Sequence, residues 1–187
     1  MRIATSLLRL TPVFIAAALL LSLGCRRGPE ASSASSLSLD WREFQGTWVA
    51  SGNRQTIRLA GDRRASIAQL SGSLVLSGAS RPNRGFLADA VVLNDTQTGT
   101  IGRAVWTDEH GDHIYSELKG EPTGTGSRIS GTIVGGTGRY TGATGSYQFA
   151  WRFVIDTDDG HVQGQSEDLT GQIRVGVSPR TTGEETK

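Results

Sequence analysis

Cysteine is almost missing from this chain: Cys25 is the only one in 187 residues. A lone thiol excludes an intramolecular disulfide framework and any multi-cysteine zinc site. Proline is scarce too, at 5 residues, while glycine reaches 25. Disordered segments raise both types together, so glycine in excess alone points to tight turns and bulges between strands. No charge of one sign predominates, with 19 Lys+Arg against 18 Asp+Glu. The basic footprint of a nucleic-acid-binding protein is therefore absent, and no nucleic-acid partner is expected. Runs long enough to span a bilayer as a helix are also lacking. Residues 12–24 (PVFIAAALLLSLG) are uncharged and mostly apolar but number thirteen, where a spanning helix needs ~20.

What is present at the N-terminus is an address. Arg2 and Arg9 precede the apolar run, no acid accompanies them, and small residues mark its end, the layout of a secretory signal peptide. The run ends Leu21-Ser22-Leu23-Gly24-Cys25. This end resembles the lipobox of bacterial lipoproteins, with Ser22 and Leu23 in the order opposite to that box's preference. The resemblance implies that residues 1–24 are removed and that Cys25 is lipidated and becomes the new N-terminus. It also implies export to the bacterial cell envelope and a membrane partner reached through the lipid. With no Asp directly after Cys25, it implies sorting to the periplasmic face of the outer membrane. The competing reading is a free thiol in an ordinary cleaved signal or in a plain inner-membrane anchor. Residues 26–39 (RRGPEASSASSLSL) hold no strand or helix period and read as a flexible tether, so 25–40 is taken as lipidated Cys and linker. Removal of Arg2 and Arg9 leaves 17 basic against 18 acidic residues, a net charge of −1. Residues 177–187 (VSPRTTGEETK) are polar and expected to be a disordered tail.

From Trp41 onward no segment keeps a helical period for three turns. Strand patterns recur at 46–51, 55–59, 65–77, 85–94, 98–107, 113–120, 127–135, 145–155 and 162–175. Eight to nine strands joined by short connections imply an all-β domain over 41–176. A single antiparallel up-and-down barrel of about eight strands, calycin-like, follows most directly, because closure removes exposed edges. A two-sheet sandwich is the alternative and would want longer crossovers. The clearest strand places Tyr147, Phe149, Trp151, Phe153 and Ile155 on one face. In a barrel that face points inward, forming either a packed aromatic core or the wall of an apolar ligand cavity.

A hairpin is legible around Gly111. A four-residue loop from Glu109 to Asp112 sets Trp106 opposite Tyr115 and Ala104 opposite Glu117, all on one face with His113 and Gly102. With that face inward, Trp106, Tyr115 and Glu117 join the candidate pocket. Glu117 among aromatics would then carry a raised pKa and serve, with Tyr115, as a candidate acid or base. Otherwise Glu117 is a surface carboxylate facing Arg103 or Lys119. The cluster Asp108, Glu109, His110, Asp112 and His113 also has metal-ligand chemistry through His110 and His113. A solvated hairpin tip accounts for it more simply, and no cofactor or metal is expected. Glu167 and Asp168 on the last strand are weighed the same way. No Ser-His-Asp order, Cys nucleophile or paired-carboxylate motif supports covalent catalysis.

Residues 130–149 read SGTIVGGTGRYTGATGSYQF. The dinucleotide fingerprint fails at Thr141, no Lys follows in phosphate-loop fashion, and no helix follows either. A bulged connection fits better, with Arg139 and Tyr140 able to fold back over the barrel end. The stretch GGTGRYTGATGSYQF resembles the glycine-rich hairpin of the allene oxide cyclase and dirigent barrel group. Gly46-Thr47-Trp48 also resembles the first strand of lipocalins. These resemblances imply an eight-stranded barrel with an apolar interior, and they leave association into homo-oligomers open. Three functions follow: a tethered barrel that binds a small apolar ligand, a cyclase or isomerase that uses the barrel as a mould, or a structural protein with a filled barrel.

Overall fold

The computed structural model describes residues 41–123 and 126–176. The segments expected to be a signal peptide (1–24), a linker with Cys25 (25–40) and a tail (177–187) lie outside the described residues. Eight strands make up the fold: β1 (Arg42–Arg58), β2 (Arg64–Ser77), β3 (Gly85–Asp95), β4 (Gly99–Thr107), β5 (His113–Thr123), β6 (Gly126–Gly136), β7 (Thr144–Asp156) and β8 (His161–Arg174). Each pairs antiparallel with the next, and β8 returns to β1 to close the barrel. The expected up-and-down barrel is therefore found, and the sandwich is not. Among the described residues no helix is long and apolar enough to cross a membrane.

Alternation with a period of two builds every wall. On β3, Phe86, Ala88 and Ala90 turn inward and Leu87, Asp89 and Val91 outward. On β7, Tyr147, Phe149 and Trp151 turn inward. An eight-stranded barrel is only just wide enough for side chains, so large residues on one wall require small ones across from them. The aromatic wall of β1 and β7 accordingly faces Ala88, Ala90 and Ala104 in the same buried cluster. Larger apolar residues of β3 are thereby sent outside: Leu93 stands exposed in register between Ile67 and Ile101.

Three features depart from the strand pattern. Segments 46–51 and 55–59 are one strand, β1, because its ladder with β2 runs unbroken from Gln45 to Arg58. On β8 one extra residue enters the ladder near Asp168, which sits at φ 54°. Inward positions step from Ser166 to Leu169 across it, and the Trp48 N–H donates to Ser166 Oγ at 2.7 Å. On β7 a shift between Phe153 and Ile155 breaks the alternation, leaving Phe153 half-buried and Ile155 exposed. The expectation that Ile155 points inward is corrected, since a bulge reverses the phase of every residue beyond it.

The two ends of the barrel differ. One carries the connections 78–84, 108–112 and 137–143, the last holding a 3-10 turn at Gly138–Tyr140. The other carries 59–63, 96–98 and 157–160.

Candidate functional site

The first end is plugged. Tyr140, only 2% exposed, drops from the 3-10 turn into the barrel, its ring 5.8 Å from that of Phe86. The turn is held down from outside. Arg139 Nε donates to Asp108 Oδ2 at 2.7 Å and Arg139 Nη2 to Glu109 Oε1 at 3.0 Å. Asp108 also accepts from the backbone N–H groups of His110 (2.7 Å) and Asp112 (3.1 Å). Burial pushes the Asp108 carboxyl up, but these hydrogen bonds outweigh it and hold it at about 2. Burial raises the Tyr140 hydroxyl, and the neighbouring Asp108 carboxylate raises it further.

Below the plug the interior is full. Trp106 and Tyr147 lie 4.8 Å apart between ring centroids, and Phe44 meets Trp106 edge-on at 6.0 Å. Gly131 faces Tyr147 across the β6–β7 ladder, and a Cβ at Gly131 would overlap the edge of the Tyr147 ring. Burial pushes the Tyr147 hydroxyl up to about 12, against the opposing influence of Ser116 and Trp106. The void left between Trp48, Trp106, Tyr147 and Phe149 is about 20 Å³, room for at most one water.

Toward the second end the barrel opens into a cavity of about 220 Å³. Trp48, Phe149 and Trp151 form one wall, with Ala68, Ala90 and Leu118 on the others. The small alanines make the room. Trp48 and Trp151 pack at 4.9 Å between centroids, and neither indole N–H has a hydrogen-bond partner. Near the mouth, Asn94 Nδ2 donates to Thr100 Oγ1 at 2.6 Å. Arg54 also lines the mouth, its guanidinium 5.3 Å from the centre of the Phe153 ring.

The candidate residues divide between these places. Phe149, Trp151 and Phe153 line the cavity, whereas Trp106 and Tyr147 belong to the filled half. Tyr115 and Glu117 lie outside the barrel, which corrects the expectation that they share a face with Trp106. The hairpin loop is one residue shorter than the four assumed. Asp108 N bonds Asp112 O at 3.0 Å, and Gly111 takes the left-handed position at φ 83°. Trp106 consequently pairs with Ile114, Val105 with Tyr115 and Arg103 with Glu117. A slip of one residue sends every side chain to the opposite face. Glu117 instead meets Arg103 at 3.0 Å on the surface.

The proposed histidine pair is also rearranged. Among the described residues the groups drawn together are Asp108, Glu109 and His110. His113 instead lies within 3.1 Å of Thr107 Oγ1. Arg139 occupies the oxygens that a metal would need, so the cluster serves as a clasp. Glu167 is half-buried beside Arg152, at 3.1 Å.

As cavity residues, Trp48, Arg54, Asn94 and Thr100 escaped the sequence reading. Trp48 had a signal in its parity with Phe44 and Ala50. Small inward residues, Ala68 and Ala90, marked the place where the interior has room. Arg54 had none, because it sits beyond a Gly-Asn pair that reads as a turn.

No protein-family model and no curated protein matches this sequence. Among solved structures the chain is similar to the pterocarpan synthase dirigent protein GePTS1. The match covers 79% of this chain and 98% of that one, at 13% identity and a TM-score of 0.45.

Proposed function

We propose that this protein is an envelope lipoprotein, tethered through Cys25, whose barrel binds a small apolar ligand. The observation that carries the binding reading is the asymmetry of the interior. One end is stoppered by Tyr140 and filled with aromatics, while the other keeps an apolar cavity of about 220 Å³ with a mouth. Apolar cavities exclude water and bind apolar molecules readily; one of ~150 Å³ takes benzene. The tether reading is carried by the basic start, the short apolar run and the position of Cys25 at its end. On this reading the lipid holds the barrel at the periplasmic face of the outer membrane. The mould with a Glu117 and Tyr115 pair is not retained, since both side chains stand outside.

Two experiments test the two halves. Native mass spectrometry of the protein extracted from membranes should show a bound small molecule, absent from an Ala90→Leu variant whose side chain fills the cavity. An empty wild-type protein that also fails to take up naphthalene would overturn the binding reading. Radiolabelled palmitate should enter the wild-type chain and not Cys25→Ser; equal labelling of both would overturn the tether.

A further inference from the structure

Arg54 is the only charged side chain that lines the cavity among the described residues, and no carboxylate faces it. Its placement is fixed from two sides. The Arg54 backbone N–H donates to Gly160 O at 2.7 Å, and the guanidinium rests over Phe153. Its present partner is Asp156 at the end of β7. Both oxygens of Asp156 accept from the same nitrogen, Nη2, at 2.7 and 2.8 Å. That pair leaves Nε and Nη1 outside it, although a guanidinium offers five N–H donors in a fork matched to a carboxylate. The Asp156 side chain is 43% exposed, and an ion pair so exposed contributes little and exchanges at small cost.

The rest of the polar lining is neutral: Ser66, Asn94, Thr100 and Ser127 carry hydroxyl and amide groups that both donate and accept. A lining with one cationic fork at its mouth, only part of it engaged by Asp156, and with no carboxylate of its own complements an anionic ligand.

We propose that the ligand of this cavity is a small aromatic or alicyclic carboxylic acid. Its one- or two-ring body lies against Trp48, Phe149 and Trp151, and its carboxylate takes Arg54 over from Asp156 at the mouth. The size limit follows from the volume: about 220 Å³ exceeds the ~150 Å³ that holds a single benzene and is too little for a long chain. The assignment rests on the reading that the cavity is a ligand site and adds the chemistry of the head group.

The test compares 2-naphthoate with the neutral, nearly isosteric 2-naphthamide, by quenching of tryptophan fluorescence and by calorimetry. Wild-type protein should bind the acid at least tenfold more tightly than the amide, with the ratio shrinking as salt is raised. Arg54→Gln should remove that preference and leave the amide unchanged. Asp156→Asn, which removes the competing carboxylate and leaves Arg54 in place, should tighten the acid several-fold and leave the amide unchanged. It reports independently if Arg54→Gln folds poorly. Amide binding as tight as acid binding in the wild type, or an acid preference that survives in Arg54→Gln, overturns the head-group assignment alone. If neither probe nor naphthalene binds, the ligand-site reading falls with it.

Discussion

Arg139 donates through Nε to a carboxylate of Asp108 whose side chain has no exposed surface, 31 positions earlier in the chain. The bond joins the β4–β5 hairpin to the glycine-rich connection, and the adjacent Tyr140 closes the barrel beneath it. Arg139→Met leaves the carboxylate with its two backbone donors and no counter-charge. Loss of a hydrogen bond to a buried charged group costs about 2 kcal/mol, which a urea titration at pH 7 should show.

The same clasp sets an acid sensitivity. The Asp108 carboxyl is held at about 2 in the folded chain and returns to ~3.9 when unfolded. A depressed folded value contributes stability above the unfolded value and loses it as the pH falls through the folded one. The stability advantage of wild type over Asp108→Asn should thus be full above pH ~4 and fade towards pH ~2. Asp95, which Arg63 holds at about 2, titrates in both proteins and cancels in the comparison. An advantage that stays constant across this range would contradict the assignment.

Gly131 is small because Tyr147 is large. Gly131→Val should cost about 1–3 kcal/mol by overpacking. Combined with Tyr147→Ala, it should cost much less than the sum of the two single changes, since each makes room for the other. Additive losses in thermal melts would show that the two positions do not share the space.

Glu117→Gln should leave probe binding unchanged and alter stability by less than ~1 kcal/mol, as expected for an exposed ion pair. A loss of binding in this variant would return Glu117 to the cavity and contradict the three-residue hairpin loop.

Asp168 occupies the left-handed region at φ 54° inside the β8 bulge. Asp tolerates that conformation better than a branched residue does. Asp168→Val should therefore destabilise the barrel by ~1–2 kcal/mol, while Asp168→Gly stays near wild type. Equal melting temperatures for the two variants would remove the strain argument.

The one-dimensional pattern by itself determined a good deal about this protein. Alternating residues from Trp41 to Arg174, punctuated by Gly, Asn and Asp, were enough for an antiparallel meander of eight to nine strands, with a closed barrel favoured over a sandwich. The parity of Tyr147, Phe149 and Trp151 was enough to put them on the inner wall, because strand geometry assigns faces by position alone. Phase was legible only where no bulge intervened. An extra residue on β7 and a hairpin loop one residue shorter than assumed changed the faces of Ile155, Tyr115 and Glu117. Such shifts depend on hydrogen bonds between strands, which local sequence does not encode. Tertiary structure alone decided that Tyr140, of the two residues able to fold over the barrel end, is the one that enters it, that Asp108 holds Arg139, and that Arg54 stands at the mouth of the aromatic-lined cavity. Each depends on groups brought together across 31 to 102 positions of chain. Distances of that kind come from the closed ladder and not from spacing along the sequence.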